Sequence, residues 1–109
     1  MEEKSYTETD WLLFRNKIAG WQEKYMERLN REYVILLTGD GLASDKFWEL
    51  EKRIREDKTD TGVVVDMRRS MLIFNISNLL STGVLTLDDL DEFSEGLKER
   101  MKYLIDKGL

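Results

Sequence analysis

Apolar residues recur at every third or fourth position along the first third of the chain. The series comprises Trp11, Phe14, Ile18, Trp21, Tyr25, Leu29, Tyr33 and Leu36. This spacing places the side chains on one face of an α-helix. Thr7 and Asp10 have the spacing of a reciprocal cap at a helix start, and Gly39 follows the last apolar residue. The pattern therefore predicts a long helix over residues 8–38.

A second helix is predicted over residues 44–58. Ser44 is a suitable N-cap, and basic residues crowd the end, where they complement the negative pole of a helix. We expect Trp48 to lie in the core beside this helix's apolar face. That face contains Phe47, Leu50 and Ile54.

Two further helices complete the pattern. Residues 62–81 are apolar around much of a helical circumference and predict the most buried helix. The β-branched start leaves a short strand over 62–66 as an alternative, although no second strand is available to pair with it. The last helix is predicted over 86–107, with Thr86 and Asp89 as a capping box.

The four predicted helices define an all-α, four-helix fold. The 109 residues form one domain, 1–109, in which we expect 1–6 to be a flexible N-terminal tail. A straight first helix would be roughly 46 Å long, whereas a compact domain of this size is only about 35 Å across. The helix must therefore break near Gly20, or its far end projects and needs a partner.

The first helix also carries a candidate interaction surface. Five of its aromatic and aliphatic residues keep heptad spacing, which is typical of a dimerisation seam. They are Trp11, Phe14, Ile18, Trp21 and Tyr25. The alternative is that this stripe packs against the other three helices of the same chain.

Composition excludes several classes of chemistry. The chain contains no cysteine and no histidine, so thiol and imidazole nucleophiles and bases are absent, as are thiolate and imidazole metal ligands. No apolar run approaches the ~20 residues of a membrane span. We therefore predict a non-enzymatic, cytoplasmic protein without cofactor, metal or membrane association.

Charged residues form two candidate surfaces. The net charge is −5, which disfavours approach to a phosphate backbone. A local basic patch could oppose this, formed by Lys52, Arg53, Arg55, Lys58, Arg68 and Arg69. A candidate acidic surface comprises Asp88, Asp91, Glu92 and Glu95. Both patches are also consistent with ordinary solvated helix faces.

Three segments carry a family resemblance. SDKFWELEKRIREDK, TGVVVDMRRS and GVLTLDDLDEFSEGLKER resemble a group of short, uncharacterised helical proteins of Gram-positive bacteria. Some of these carry an automatic "multidrug transporter" label, which the lack of a membrane span contradicts. The resemblance covers most of the chain after the first few residues. It implies a bacterial cytoplasmic setting and transfers no catalytic residue.

These observations predict a small acidic helical protein that acts through protein–protein interaction as an accessory or regulatory protein. Its expected partner is another protein or a second copy of itself, the latter through the first helix. One alternative is an acidic inhibitor that imitates nucleic acid. A second is a nucleic-acid binder that uses the Arg/Lys patch around residues 52–69, although the net charge argues against nucleic acid as a partner.

Overall fold

A computed structural model describes residues 5–108 and confirms the all-helical fold. Its four α-helices are α1 (Glu8–Thr38), α2 (Ala43–Asp57), α3 (Leu72–Ser81) and α4 (Glu95–Asp106). Single 3₁₀ turns occur at Arg69–Met71 and Leu87–Leu90. The described range contains no β-strand, so the alternative strand over 62–66 does not form.

The N-terminal cap of α1 has the predicted form. The Asp10 amide donates to Thr7 Oγ1 at 3.1 Å, and the Thr7 amide donates to Asp10 Oδ2 at 2.9 Å. Of the predicted flexible tail, residues 1–4 lie outside the described residues. Tyr6, within that tail, is half-buried and packs against the core, so its side chain is not free.

The helix α1 is continuous through Gly20 for 31 residues. The described molecule measures 57 × 28 × 24 Å and has a radius of gyration of 16.6 Å. A compact chain of this length would have a radius of gyration near 13 Å. The far end of α1 therefore projects from the body of the protein, which was one of the two expected outcomes.

The predicted helix over 62–81 is wrong in its first half, because α3 begins only at Leu72 and residues 64–68 are not helical. Residues 61–69 run back along α1, and we call them the return segment. Gly62 contacts Tyr25, and the Arg69 guanidinium lies over the Trp11 ring. Those α1 residues lie about 21 Å apart along the helix axis. Extended chain, at ~3.3 Å per residue, covers that distance, whereas helix over the same residues would not.

Side-chain amides satisfy the backbone of this return segment. Gln22 Nε2 donates to the Thr61 carbonyl at 3.1 Å, and the Thr61 amide donates to Asn78 Oδ1 at 2.9 Å. Asn75, which is buried, donates from Nδ2 to the Asp66 carbonyl at 2.9 Å. A buried backbone needs such partners, and here amides from α1 and α3 take the place of helical hydrogen bonds.

The predicted helix over 86–107 is divided in two. Thr86 and Asp89 do form the expected capping box, but it starts only the 3₁₀ turn. The predicted helix is interrupted before Ser94. The Ser94 amide and Oγ donate to the two carboxylate oxygens of Asp10 at 2.8 and 2.6 Å. Ser94 in turn caps α4 by accepting from the Leu97 amide. A contact 84 residues away in sequence thus sets this helix start.

Only the first half of α1 contributes side chains to the hydrophobic core. It is built from α1, α3, α4 and the segment between α3 and α4, and we call this part the core region. Its buried members are Trp11, Phe14, Ile18, Leu72, Ile76, Leu79, Leu85, Leu90, Phe93, Leu97 and Met101.

The remainder of α1 and all of α2 form an antiparallel helical hairpin. We call residues 30–58 the hairpin. No residue from 30 to 60 is buried. The second helix starts at Ala43 rather than at 44, and the expected Ser44 cap is wrong because Leu42 occupies the cap position without a side-chain hydrogen bond. The hairpin is thus a helical element attached to the core region at one end.

Candidate protein interface

The predicted dimerisation seam is not an exposed surface. Trp11, Phe14, Ile18 and Tyr25 are buried, and Trp21 is half-buried against the core. The aromatic rings pack on one another, with centroids of Phe14 and Trp21 6.1 Å apart. The heptad stripe faces α3, α4 and the return segment of the same chain, so these five residues offer no docking surface in this fold.

Exposed apolar side chains concentrate instead on the hairpin. More than half of the large apolar residues that the described chain exposes lie between residues 34 and 54. They are Val34, Ile35, Leu37, Leu42, Phe47, Trp48 and Ile54. A contiguous apolar patch of more than a few hundred Å² is uncommon on a monomer and marks an interaction site.

Trp48 was predicted to lie in the core, and this was wrong. Its side chain is 64% exposed and contacts the ring of Phe47 edge to face, with centroids 5.0 Å apart. On α2, the positions that face α1 are Lys46, Leu50, Arg53 and Asp57, each half-buried. Trp48 lies on the opposite side of the helix, and no other element covers it.

Three open grooves form one continuous surface across the hairpin and the adjoining turn of α1. A groove of about 350 Å³ is lined along α2 by Phe47, Leu50 and Ile54. A second, of about 250 Å³, shares Ile54 with it and crosses to Met26 and Asn30 of α1. A third shares Asn30 and continues to Val34. We call this surface the docking face; it contains Met26, Asn30, Val34, Phe47, Leu50 and Ile54.

Polar contacts hold the two helices of the hairpin together, and Tyr33 and Asp57 also line the second groove. Tyr33 Oη donates to Asp57 Oδ2 at 2.6 Å. Arg53 donates to Glu32 at 3.1 Å and lies 5.5 Å from the Tyr33 ring. Burial and the hydrogen bond to Asp57 raise the pKa of Tyr33 above its usual range. The docking face therefore rests on a defined helix pair.

A second tyrosine, Tyr25, links α1 to the chain that follows α2. Tyr25 Oη donates to Asp60 Oδ2 at 2.8 Å, and the Arg28 guanidinium lies over the Tyr25 ring. Burial and the hydrogen bond raise the pKa of Tyr25 to about 12. The same ring packs against Gly62, where a Cβ atom would lie 2.2 Å from Tyr25 Cδ2. Only glycine fits this contact, which fixes where the return segment leaves the hairpin.

The predicted basic patch does not form a single surface. Arg53 lies beside Glu32 near the far end of α1, whereas Arg69 binds Glu8 at 2.8 Å near its start. These two sites are about 36 Å apart along the helix. The other two paired arginines also have acidic neighbours, Arg55 with Glu51 and Arg68 with Asp66. Lys52 and Lys58 lie with Arg53 on the hairpin. A return segment of extended chain separates the two groups.

The predicted acidic residues are all exposed, but basic side chains lie among them. Lys17 Nζ is 3.4 Å from Glu92, and Lys98 Nζ is 2.9 Å from Glu95 and donates to the Asp91 carbonyl. Asp88 lies in the 3₁₀ turn that follows the Thr86 cap. The described residues contain no group of three or more acidic side chains placed to hold a metal ion.

Within residues 5–108, no helix combines the length and the apolar character that a bilayer span requires. Comparison of the chain with protein-family models, with curated proteins and with solved structures finds no match. The resemblance to short helical proteins of Gram-positive bacteria stays a prediction.

Sequence reasoning missed the docking face although two signals for it were present. The first helix was too long for a compact domain, which indicated a projecting end. The second helix carries Phe47 and Trp48 in adjacent positions, which cannot both face α1 because neighbours on a helix diverge by 100°. Together these signals pointed to the hairpin.

Proposed function

We propose that this protein is a non-enzymatic accessory or regulatory protein that acts by binding another protein chain through the docking face of its hairpin. The observation that carries the proposal is that the hairpin over residues 30–58 contains no buried residue and presents a continuous, largely apolar surface. Hydrophobic burial is the main driving force of association, and a surface of this kind supplies it.

Three of the exposed apolar side chains of the hairpin lie on the docking face. Val34, Phe47 and Ile54 are between 42% and 62% exposed. Aromatic residues such as Phe47 are enriched among the side chains that dominate binding energy.

The test is photo-crosslinking from the docking face in the cells that naturally make the protein. A photoreactive amino acid replaces Phe47, which is 62% exposed, and in a control variant it replaces Phe74, which is 58% exposed on α3. We expect discrete protein adducts from position 47, identified by mass spectrometry, and none from position 74. Equal or absent crosslinking at both positions would refute the proposal.

A further inference from the structure

We infer that the partner of the docking face is a second copy of this chain, and that two hairpins pack face to face as an intermolecular four-helix bundle. This inference rests on the proposed function and names its partner. Two antiparallel helices with one shared apolar face are half of a four-helix bundle, whose core requires facing apolar positions from all four helices.

The hairpin has the periodicity that such a bundle needs. On α2, Phe47, Leu50 and Ile54 follow one another at intervals of three and four residues. On α1, Met26, Asn30 and Val34 follow at intervals of four. The two rows meet at the groove that Met26, Asn30 and Ile54 line together, into which a ridge of a second hairpin can insert. A two-fold axis would place the same residues on both sides of the interface.

Charge distribution favours a second copy over a strongly charged partner. Residues 31–58 carry six basic and seven acidic side chains, so their net charge of −1 leaves most of the chain's −5 outside the hairpin. Two hairpins can therefore approach with little electrostatic repulsion.

The two rims of the docking face carry matching pairs of opposite charge. On the α1 rim, Arg31 lies 3.3 Å from Glu27, and on the α2 rim, Arg55 lies 3.4 Å from Glu51. All four side chains are largely exposed and can rearrange. An interface with two-fold symmetry can place an arginine of one copy against a glutamate of the other, which fixes the register more than it adds to affinity.

The apolar character of the docking face also suits a homodimer. Homodimer interfaces are the most apolar class of interface. Asn30 lies where the second and third grooves meet, and a buried Asn is a known device for fixing helix register.

The test uses the purified full chain in sedimentation velocity and light scattering over a concentration series. We expect a species of twice 12.9 kDa that dissociates on dilution. Phe47→Glu and Ile54→Glu should each weaken dimerisation by at least about 30-fold, the factor that corresponds to loss of a binding hot spot. Both side chains are substantially exposed, so the monomer should remain folded, which circular dichroism verifies.

The matched control is Phe74→Glu, which alters an equally exposed phenylalanine of the core region and should leave dimerisation unchanged. A wild-type monomer at all concentrations up to about 100 µM would overturn the inference. Dimerisation that is unaffected by both hairpin variants, or lost equally in the control, would also overturn it. Crosslinking of position 47 to a different protein, with no self-adduct, would support the proposed function and refute only the inference that the partner is a second copy.

Discussion

The core region and the hairpin both contain amphipathic helices, but the apolar faces of these helices are covered to different extents. In the core region, an apolar stripe on α1 is covered on all sides, and Phe14, Leu72 and Leu97 are fully buried. On the hairpin, a comparable stripe on α2 is half-covered by α1 and otherwise exposed. An amphipathic pattern therefore predicts that a helix will pack, but it does not say whether the partner belongs to the same chain.

The two regions also differ in what holds them in place. The core region is stabilised by apolar burial and by one buried carboxylate, Asp10, that joins the starts of α1 and α4. The hairpin is held mainly by polar contacts of Tyr33 and Arg53. We therefore expect global unfolding to depend on the core region and local opening to depend on the hairpin.

The largest expected difference is between two phenylalanines. Phe14→Ala should reduce the free energy of unfolding by about 3–5 kcal/mol, because it leaves a cavity in a fully buried site. Phe47→Ala should change it by less than about 0.5 kcal/mol in the monomer, because that side chain is already exposed. Urea denaturation at low protein concentration measures both. Similar losses in the two variants would contradict the division into two regions.

Asp10 gives the next largest effect. Asp10→Ala should cost roughly 2–4 kcal/mol, since it leaves the Thr7 amide and the Ser94 amide without the carboxylate that accepts from both. Urea denaturation at neutral pH measures this, with Glu23→Gln on the exposed side of α1 as the neutral control. An unchanged free energy of unfolding in Asp10→Ala would show that the carboxylate does not join the two helices.

The contribution of Asp10 should also depend on pH. Burial alone would raise the pKa of Asp10, but hydrogen bonds from Ser94 and Thr7 favour the carboxylate and bring its pKa below the usual value. Its stabilising effect is therefore complete above the unfolded-state pKa of about 3.9 and is lost as the pH falls through the lower folded-state pKa. The difference between wild type and Asp10→Asn should accordingly shrink on acidification, and a constant difference would contradict this.

Two glycines should respond to alanine with opposite signs. Gly62→Ala places a methyl group against the Tyr25 ring and should destabilise the protein by about 1–3 kcal/mol through overpacking. Gly20→Ala meets no atom within 4 Å in mid-helix and should stabilise by about 0.5–1 kcal/mol. Thermal unfolding of the two variants distinguishes these effects. Destabilisation by Gly20→Ala would argue against a continuous α1.

The smallest effect on global stability should come from the hairpin. Tyr33→Phe removes the hydrogen bond to Asp57, which is worth about 0.5–1.5 kcal/mol. Hydrogen exchange of the α2 amides should accelerate in the monomer, while exchange in α3 and α4 and the global free energy of unfolding stay unchanged. Tyr103→Phe, at an exposed site of α4, is the control. Uniform acceleration across the chain would show that the two regions open together.

Local sequence determined the helical class of this protein, the full extent of α1, most of α2 and the capping chemistry at Thr7 and Thr86. These features depend on interactions between residues three or four positions apart, which a linear sequence shows directly. The sequence also showed that α1 is longer than a compact domain of this size, because the rise per residue of a helix is fixed.

Tertiary structure alone decided the rest. The non-helical course of residues 64–68 depends on amides of Gln22 and Asn75, and the break before α4 depends on Asp10. The same kind of long-range packing buried Trp11 and left Trp48 exposed. Both tryptophans lie on helices rich in apolar residues, but burial depends on which elements meet in space. Contacts between residues far apart in the chain set that arrangement, and no local pattern encodes them.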